Sequence, residues 1–127
     1  VNTYGSPVQI DIDSSSAEPP YEQVRGQIAR QIIDHTLAVG TRLPTVRALA
    51  ADLGIAVNTV ARSYRELEEA GLVETRGRAG TYVSAAGESA RAAVQRAARE
   101  YAANATALGI GRDEALRMIE AALDEAR

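Results

Sequence analysis

Gly54 lies between two helical patterns of apolar residues, and that juxtaposition narrows the folds open to this chain more than any other feature. Ahead of it, Val46, Leu49, Ala50 and Leu53 recur at i, i+3, i+4 and i+7, which predicts a helix with one buried stripe. Pro44-Thr45 opens that helix, with Thr45 placed to cap its first amides. Beyond the turn Gly54-Ile55-Ala56, Val60, Tyr64 and Leu67 define a second stripe on a helix that runs to Gly71, which supplies its C-terminal cap. Two helices joined by so short a glycine-containing turn form a helix-turn-helix.

The flanking segments extend the pattern. Pro19 and Pro20 suit the first turn of an earlier helix, where an amide has no partner to lose. Tyr21, Val24, Ile28 and Ile32 give that helix one apolar stripe, and it stops before Gly40. His35 falls just past its last turn, where a left-handed residue often caps a helix and histidine is tolerated. After Gly71, the β-prone runs Leu72-Val73-Glu74-Thr75 and Thr81-Tyr82-Val83-Ser84 flank Arg76-Gly77-Arg78-Ala79-Gly80, which predicts a hairpin with a basic, glycine-rich tip. Three helices followed directly by a hairpin make a winged helix-turn-helix, a mainly α fold with a small β-wing.

Residues 17–86 hold this domain, preceded by an N-terminal arm, 1–16, and followed by a helical segment, 87–127. In the arm, residues 1–6 lack a starting Met, end in Gly-Ser, read as an expression remnant and are set aside. Val8, Ile10 and Ile12 alternate with polar residues as in a strand. The C-terminal segment is broken at Gly109-Ile110-Gly111 into an α-helical hairpin. Its first helix places Val94, Ala98, Tyr101, Ala105 and Leu108 on one side, and its second Leu116, Ile119 and Leu123, with Asp113 and Glu114 favouring the dipole of the first turn. These stripes are too thin to stand alone, so a second copy of the chain is the expected partner, and Val94, Tyr101, Leu108, Leu116, Ile119 and Leu123 are the expected dimer contacts.

Composition removes several function classes. With no cysteine and only one histidine, His35, neither a disulfide framework nor a thiolate or histidine-rich metal site is available, and no cofactor is implied. No carboxylate pair, activated nucleophile or phosphate-cradling loop suggests an enzyme. No apolar run spans a bilayer and no secretory signal is present, so a cytoplasmic protein is expected, without a membrane partner. The formal net charge of −3 is unusual for a nucleic-acid binder, yet eight arginines and eight acids make residues 17–86 neutral, and every basic residue of the chain is arginine.

With Val60, Tyr64 and Leu67 inward, a helix turning about 100° per residue points Asn58, Arg62, Arg65 and Glu69 outward. Asn58 and Thr59 open that helix, the part of a recognition helix that enters the major groove first. Asn pairs bidentately with adenine and Arg with guanine, while Arg62-Glu66 and Arg65-Glu69 also have the spacing of surface ion pairs. Arg47 opposes the dipole of its helix and calls for an anion, and Thr45 with its neighbouring amides could hold a phosphate. Arg78 at the hairpin tip suits a minor groove or a phosphate. Ala56 stands where a polar N-cap would normally contribute about 1 kcal/mol.

Three stretches carry a family resemblance: Pro20-Tyr21-Glu22-Gln23-Val24, then Gly40-Thr41-Arg42-Leu43-Pro44-Thr45-Val46-Arg47-Ala48-Leu49-Ala50, then Asn58-Thr59-Val60-Ala61-Arg62-Ser63-Tyr64-Arg65-Glu66-Leu67-Glu68 with Gly71-Leu72-Val73-Glu74. Over residues 20–84 the chain resembles the GntR family of bacterial transcription regulators, and the wording of the third stretch is similar to its YtrA-type subfamily. The resemblance implies a homodimeric, DNA-binding repressor on a near-palindromic operator, dimerised by a two-helix tail. It places Arg47, Asn58, Thr59, Arg62, Arg78 and Gly80 where the family contacts DNA. Many members carry an arginine where this chain has Val57. A small-molecule effector is compatible with this reading, though no convergent polar set marks its pocket. The alternative is a winged-helix module whose arginine-rich face docks on an acidic protein without sequence-specific DNA binding.

Overall fold

The computed structural model describes residues 7–126, so the expectation for residues 1–6 lies outside the described residues. Helices α1 (Pro20–Ile33), α2 (Val46–Leu53) and α3 (Val57–Glu69) are followed by strands β1 (Val73–Thr75) and β2 (Thr81–Val83), then by helices α4 (Gly87–Ala107) and α5 (Arg112–Glu125). The chain divides into two compact units, Val1–Arg91 and Ala92–Arg127. The first is a winged helix-turn-helix.

Its local rules are those of the sequence. Pro20 stands in the first turn of α1, and His35, past the end of that helix, takes φ +66°. Thr45 Oγ1 accepts a hydrogen bond from the Ala48 amide at 3.1 Å and starts α2. Gly54, at φ +67°, reverses the chain into α3 in a left-handed conformation that side-chain-bearing residues rarely adopt. The Ala56 N-cap of α3 makes no side-chain hydrogen bond.

Val24, Ile28 and Ile32 of α1, Leu49 and Ala50 of α2, and Val60, Tyr64 and Leu67 of α3 form one core with Leu37, Leu43, Leu72, Val73 and Val83. Tyr21, expected on the buried stripe of α1, is only half-buried. Ser63 and Tyr64 bring hydroxyl groups into the core. Ser63, fully buried, donates from Oγ to the carbonyls of Tyr21 at 2.7 Å and Thr59 at 3.1 Å, tying α3 to the start of α1. Tyr64 donates from its hydroxyl to the Pro44 carbonyl at 2.6 Å, and burial pushes its pKa well up.

The arm departs from expectation. Val8 and Ile10 are buried, as their alternation predicts, but residues 8–12 form no strand. Glutamine side chains on α1 bind the extended backbone instead. Gln27 Nε2 donates to the Asp11 carbonyl at 2.7 Å, and the Asp11 amide donates to Gln27 Oε1 at 2.9 Å. Gln31 does the same to residue 9 and Gln23 to residue 13, one helical turn apart each time. A primary amide carries both a donor and an acceptor, so it satisfies an extended residue as a neighbouring strand would.

The wing contains a further departure. β1 and β2 pair antiparallel, with Val73 opposite Val83 and Thr75 opposite Thr81, and their tip is a 3-10 turn, Gly77–Ala79. Residues 40–43, between α1 and α2, lie along the other edge of β2. The Leu43 amide donates to the Thr81 carbonyl at 2.8 Å, and the amides of Val83 and Gly40 close bonds of 2.9 Å with Thr41 and Val83. Arg42 therefore faces Tyr82 in an antiparallel bridge, and the wing is stitched to the loop that leads into α2.

In the second unit α4 and α5 form a helical hairpin turned at Gly109, φ +73°. Tyr101 donates from its hydroxyl to the Ala115 carbonyl at 2.5 Å, linking the two helices. Among the described residues no helix is long and apolar enough to cross a membrane.

Candidate nucleic-acid interface

The two helices of the helix-turn-helix have N-termini unlike the rest. α1, α4 and α5 each carry an acid in the first turn: Glu22, Glu88, and Asp113 with Glu114. α2 and α3 carry none. The partial positive charge of a helix start normally attracts such an anion from its own chain, so these two starts are left open to an external one. Arg47 stands exposed in the first turn of α2, and Asn58 stands exposed in the first turn of α3, with Thr59 half-buried beside it.

Ion pairing sorts the arginines of this unit. Glu66 takes two of them: Arg25 at 2.8 Å and Arg62 at 3.1 Å. The Arg62 hydrogen bond, with a further contribution from Arg25, holds the Glu66 carboxyl below its usual range. Arg62 also lies 3.5 Å above the centre of the Tyr21 ring, so it leans toward α1 and does not project freely. Arg76 pairs with Glu74 at 2.7 Å and covers the Tyr82 ring at 4.1 Å. Arg30, Arg42, Arg47, Arg65, Arg78 and Arg91 are exposed, and among the described residues their guanidinium groups have no ion pair; of these, Arg47 and Arg65 lie on the two helices of the helix-turn-helix and Arg78 on the wing. The Arg65-Glu69 pair allowed by spacing does not form.

Of the residues singled out in the sequence, Thr45 spends its hydroxyl on the cap of α2. Arg47, Asn58 and Arg65 are exposed on the two helices, Arg78 occupies the 3-10 turn at the wing tip, and Gly80 follows it at φ +109°. Arg62 is engaged within the fold. Arg42 was not singled out, because four residues of edge pairing leave too short a pattern to read. The buried Ser63 was also missed; its place between Val60 and Leu67 on the inner face is the signal that could have found it.

The hairpin of α4 and α5 encloses an apolar groove of about 620 Å³ lined by Val94, Tyr101, Ala105, Leu116, Ile119 and Leu123, among others. Leu108 does not line it and stands 78% exposed. Val94, Leu116, Ile119 and Leu123 are also accessible, so an apolar face is open on this unit.

The family model of bacterial regulatory proteins of the gntR family matches residues 20–83. HTH-type transcriptional regulator Rv1152 of Mycobacterium tuberculosis is 47% identical over 108 residues, 85% of this chain and 88% of that protein. HTH-type transcriptional repressor YtrA of Bacillus subtilis is 43% identical over 76 residues, 59% of this chain and 58% of that protein. The solved structure of YtrA from Sulfolobus acidocaldarius, a GntR-family transcription factor, superposes with a TM-score of 0.57 at 32% identity, covering 71% of this chain and 97% of that one. Matched through its whole winged helix and with most of its length aligned to a regulator, this chain belongs to the GntR family of bacterial, DNA-binding transcription regulators and is similar to its YtrA-type members.

Proposed function

We propose that the protein is a homodimeric repressor that binds a near-palindromic operator, with α3 of each copy in a major groove and the wing on the adjacent backbone. The observation that carries this reading is the pair of helix starts without an acid, α2 and α3, each bearing an exposed Arg or Asn in the first turn. Asn58 would read adenine and Arg65 guanine or phosphate, while Arg47, Thr59, Arg78 and the Gly80 backbone fix register on the duplex. Arg62 has to leave Glu66 to take part, so its contribution is the smallest of the arginines. The description of the Bacillus relative as a repressor supports that outcome here.

The dimer reading rests on the open apolar face of the C-terminal hairpin. A second copy supplies an identical apolar surface, and a two-fold pair would set recognition helices about 34 Å apart, one turn of DNA. The test is selection of duplexes from random DNA by the unaltered protein, followed by binding of Arg47→Ala and Asn58→Ala variants. The reading expects an inverted repeat to be enriched and each variant to bind it at least about tenfold more weakly. Failure to enrich any inverted repeat would favour a protein-docking module and end the operator reading.

A further inference from the structure

We propose that Arg42, on the loop between α1 and α2, is a phosphate-contacting residue of the wing. The proposal deepens the operator reading and rests on it.

Arg42 pairs with Tyr82 across the edge of β2, and Tyr82 pairs with Glu74 across the hairpin. Directly paired residues project to the same face of a sheet, so Arg42, Tyr82 and Glu74 share the outer face, opposite the buried Leu43, Val83 and Val73. Glu74, the acid of that face, is taken by Arg76. The Arg42 side chain then runs toward the tip. A Cβ built on Gly80 would lie 2.8 Å from Arg42 Nε and 3.3 Å from its Nη2, so the guanidinium rests against the Gly80 backbone where any other side chain would stand. Gly80 directly follows the turn that carries Arg78. The wing tip thus carries Arg42 against Gly80 and Arg78 in the adjoining turn, neither with an ion pair among the described residues, which leaves it positively charged and suited to an anion. The planar guanidinium fork matches a phosphate diester, the anion that a duplex supplies to a wing. The backbone pairing of residues 40–43 fixes where the Arg42 side chain leaves the sheet.

The experiment uses the full chain, the duplex it selects, and a scrambled duplex of the same length, titrated by fluorescence anisotropy over a range of salt. Arg42→Gln should reduce the magnitude of the slope of log K against log salt by about 0.9, the value for one B-DNA phosphate. It should weaken binding to both duplexes by the same factor, because phosphate carries no sequence information. Arg42→Lys should restore the slope. An unchanged slope with weaker binding would show that Arg42 only props the wing, and a loss confined to the selected duplex would make it a base contact; either overturns the proposal while leaving the operator reading intact. If the unaltered protein selects no duplex, the operator reading falls and this proposal falls with it.

Discussion

Gln27 and Asp11 close two hydrogen bonds with one another, side-chain amide to backbone carbonyl at 2.7 Å and backbone amide to side-chain carbonyl at 2.9 Å. The arm is thus held by side chains projecting from a helix and not by a strand. Gln27→Ala should release its middle clamp and lower stability by about 1 to 2 kcal/mol, two net hydrogen bonds at a half-exposed site. Urea denaturation reads the loss, and faster amide exchange at residues 9–13 would localise it.

The Tyr64 hydroxyl donates to the Pro44 carbonyl from within the core, and its burial raises its pKa. The unfolded chain ionises its tyrosines near about pH 10, whereas Tyr64 in the fold resists ionisation. Its contribution is therefore full below that pH and is lost as pH rises toward the higher folded value. Tyr64→Phe should lower stability by about 1 kcal/mol at neutral pH, by loss of the hydrogen bond, and should flatten the alkaline fall measured by thermal melts.

Glu66 has the opposite sign. Arg62 and Arg25 hold its folded pKa below the unfolded value, so its contribution is present above about pH 4.3 and disappears as pH falls through the folded value. Glu66→Gln should cost roughly 0.2 to 1 kcal/mol at pH 7, as half-exposed pairs do, and the difference in melting temperature from the parent should close in acid. Freed of its partner, Arg62 should also become more available to DNA, so operator affinity should not fall with stability.

Gly80→Ala meets two obstacles, a backbone at φ +109° and the Arg42 side chain at 2.8 Å. Such a conformation costs a non-glycine residue about 1 to 3 kcal/mol. The variant should lose stability and operator affinity together. Adding Arg42→Ala should recover only the steric part, which a double-mutant cycle separates from the backbone part.

Ile119 lines the groove of the C-terminal hairpin and remains 37% exposed. If the proposed homodimer forms through this face, Ile119→Glu should shift it to monomer in sedimentation equilibrium and weaken DNA binding at least about tenfold. The winged helix should keep its melting transition. A variant that still sediments as a dimer would place the interface elsewhere.

The helix-turn-helix was legible because its signals are local. Thr45, Gly54 and Gly71 act within a turn of the positions they govern, and the left-handed His35 follows from where one apolar stripe stops. The misreading at residues 8–12 is instructive. Alternation showed correctly that Val8 and Ile10 face inward, but a period of two says only that the chain is extended and not what it hydrogen-bonds to. Gln23, Gln27 and Gln31 at intervals of four were the missing signal. The candidate interface divided in the same way: outward-facing residues followed from helical phase, whereas the capture of Arg62 by Tyr21 and of Arg76 by Glu74 and Tyr82 depends on tertiary neighbours or on rotamers. The edge pairing of residues 40–43 was illegible because four residues carry no period.

That edge pairing joins the wing and the entry to α2 into one hydrogen-bonded segment. Residues 40–43 hold β2 through backbone bonds and then run directly into Pro44 and the Thr45 cap, so a continuous hydrogen-bonded path joins β2 to the start of α2 and Arg47. Such a path would favour one span between β2 and Arg47, and a bound duplex whose groove differs from it would have to deform. Part of the protein's sequence preference should then come from base steps that bend cheaply and that no side chain touches.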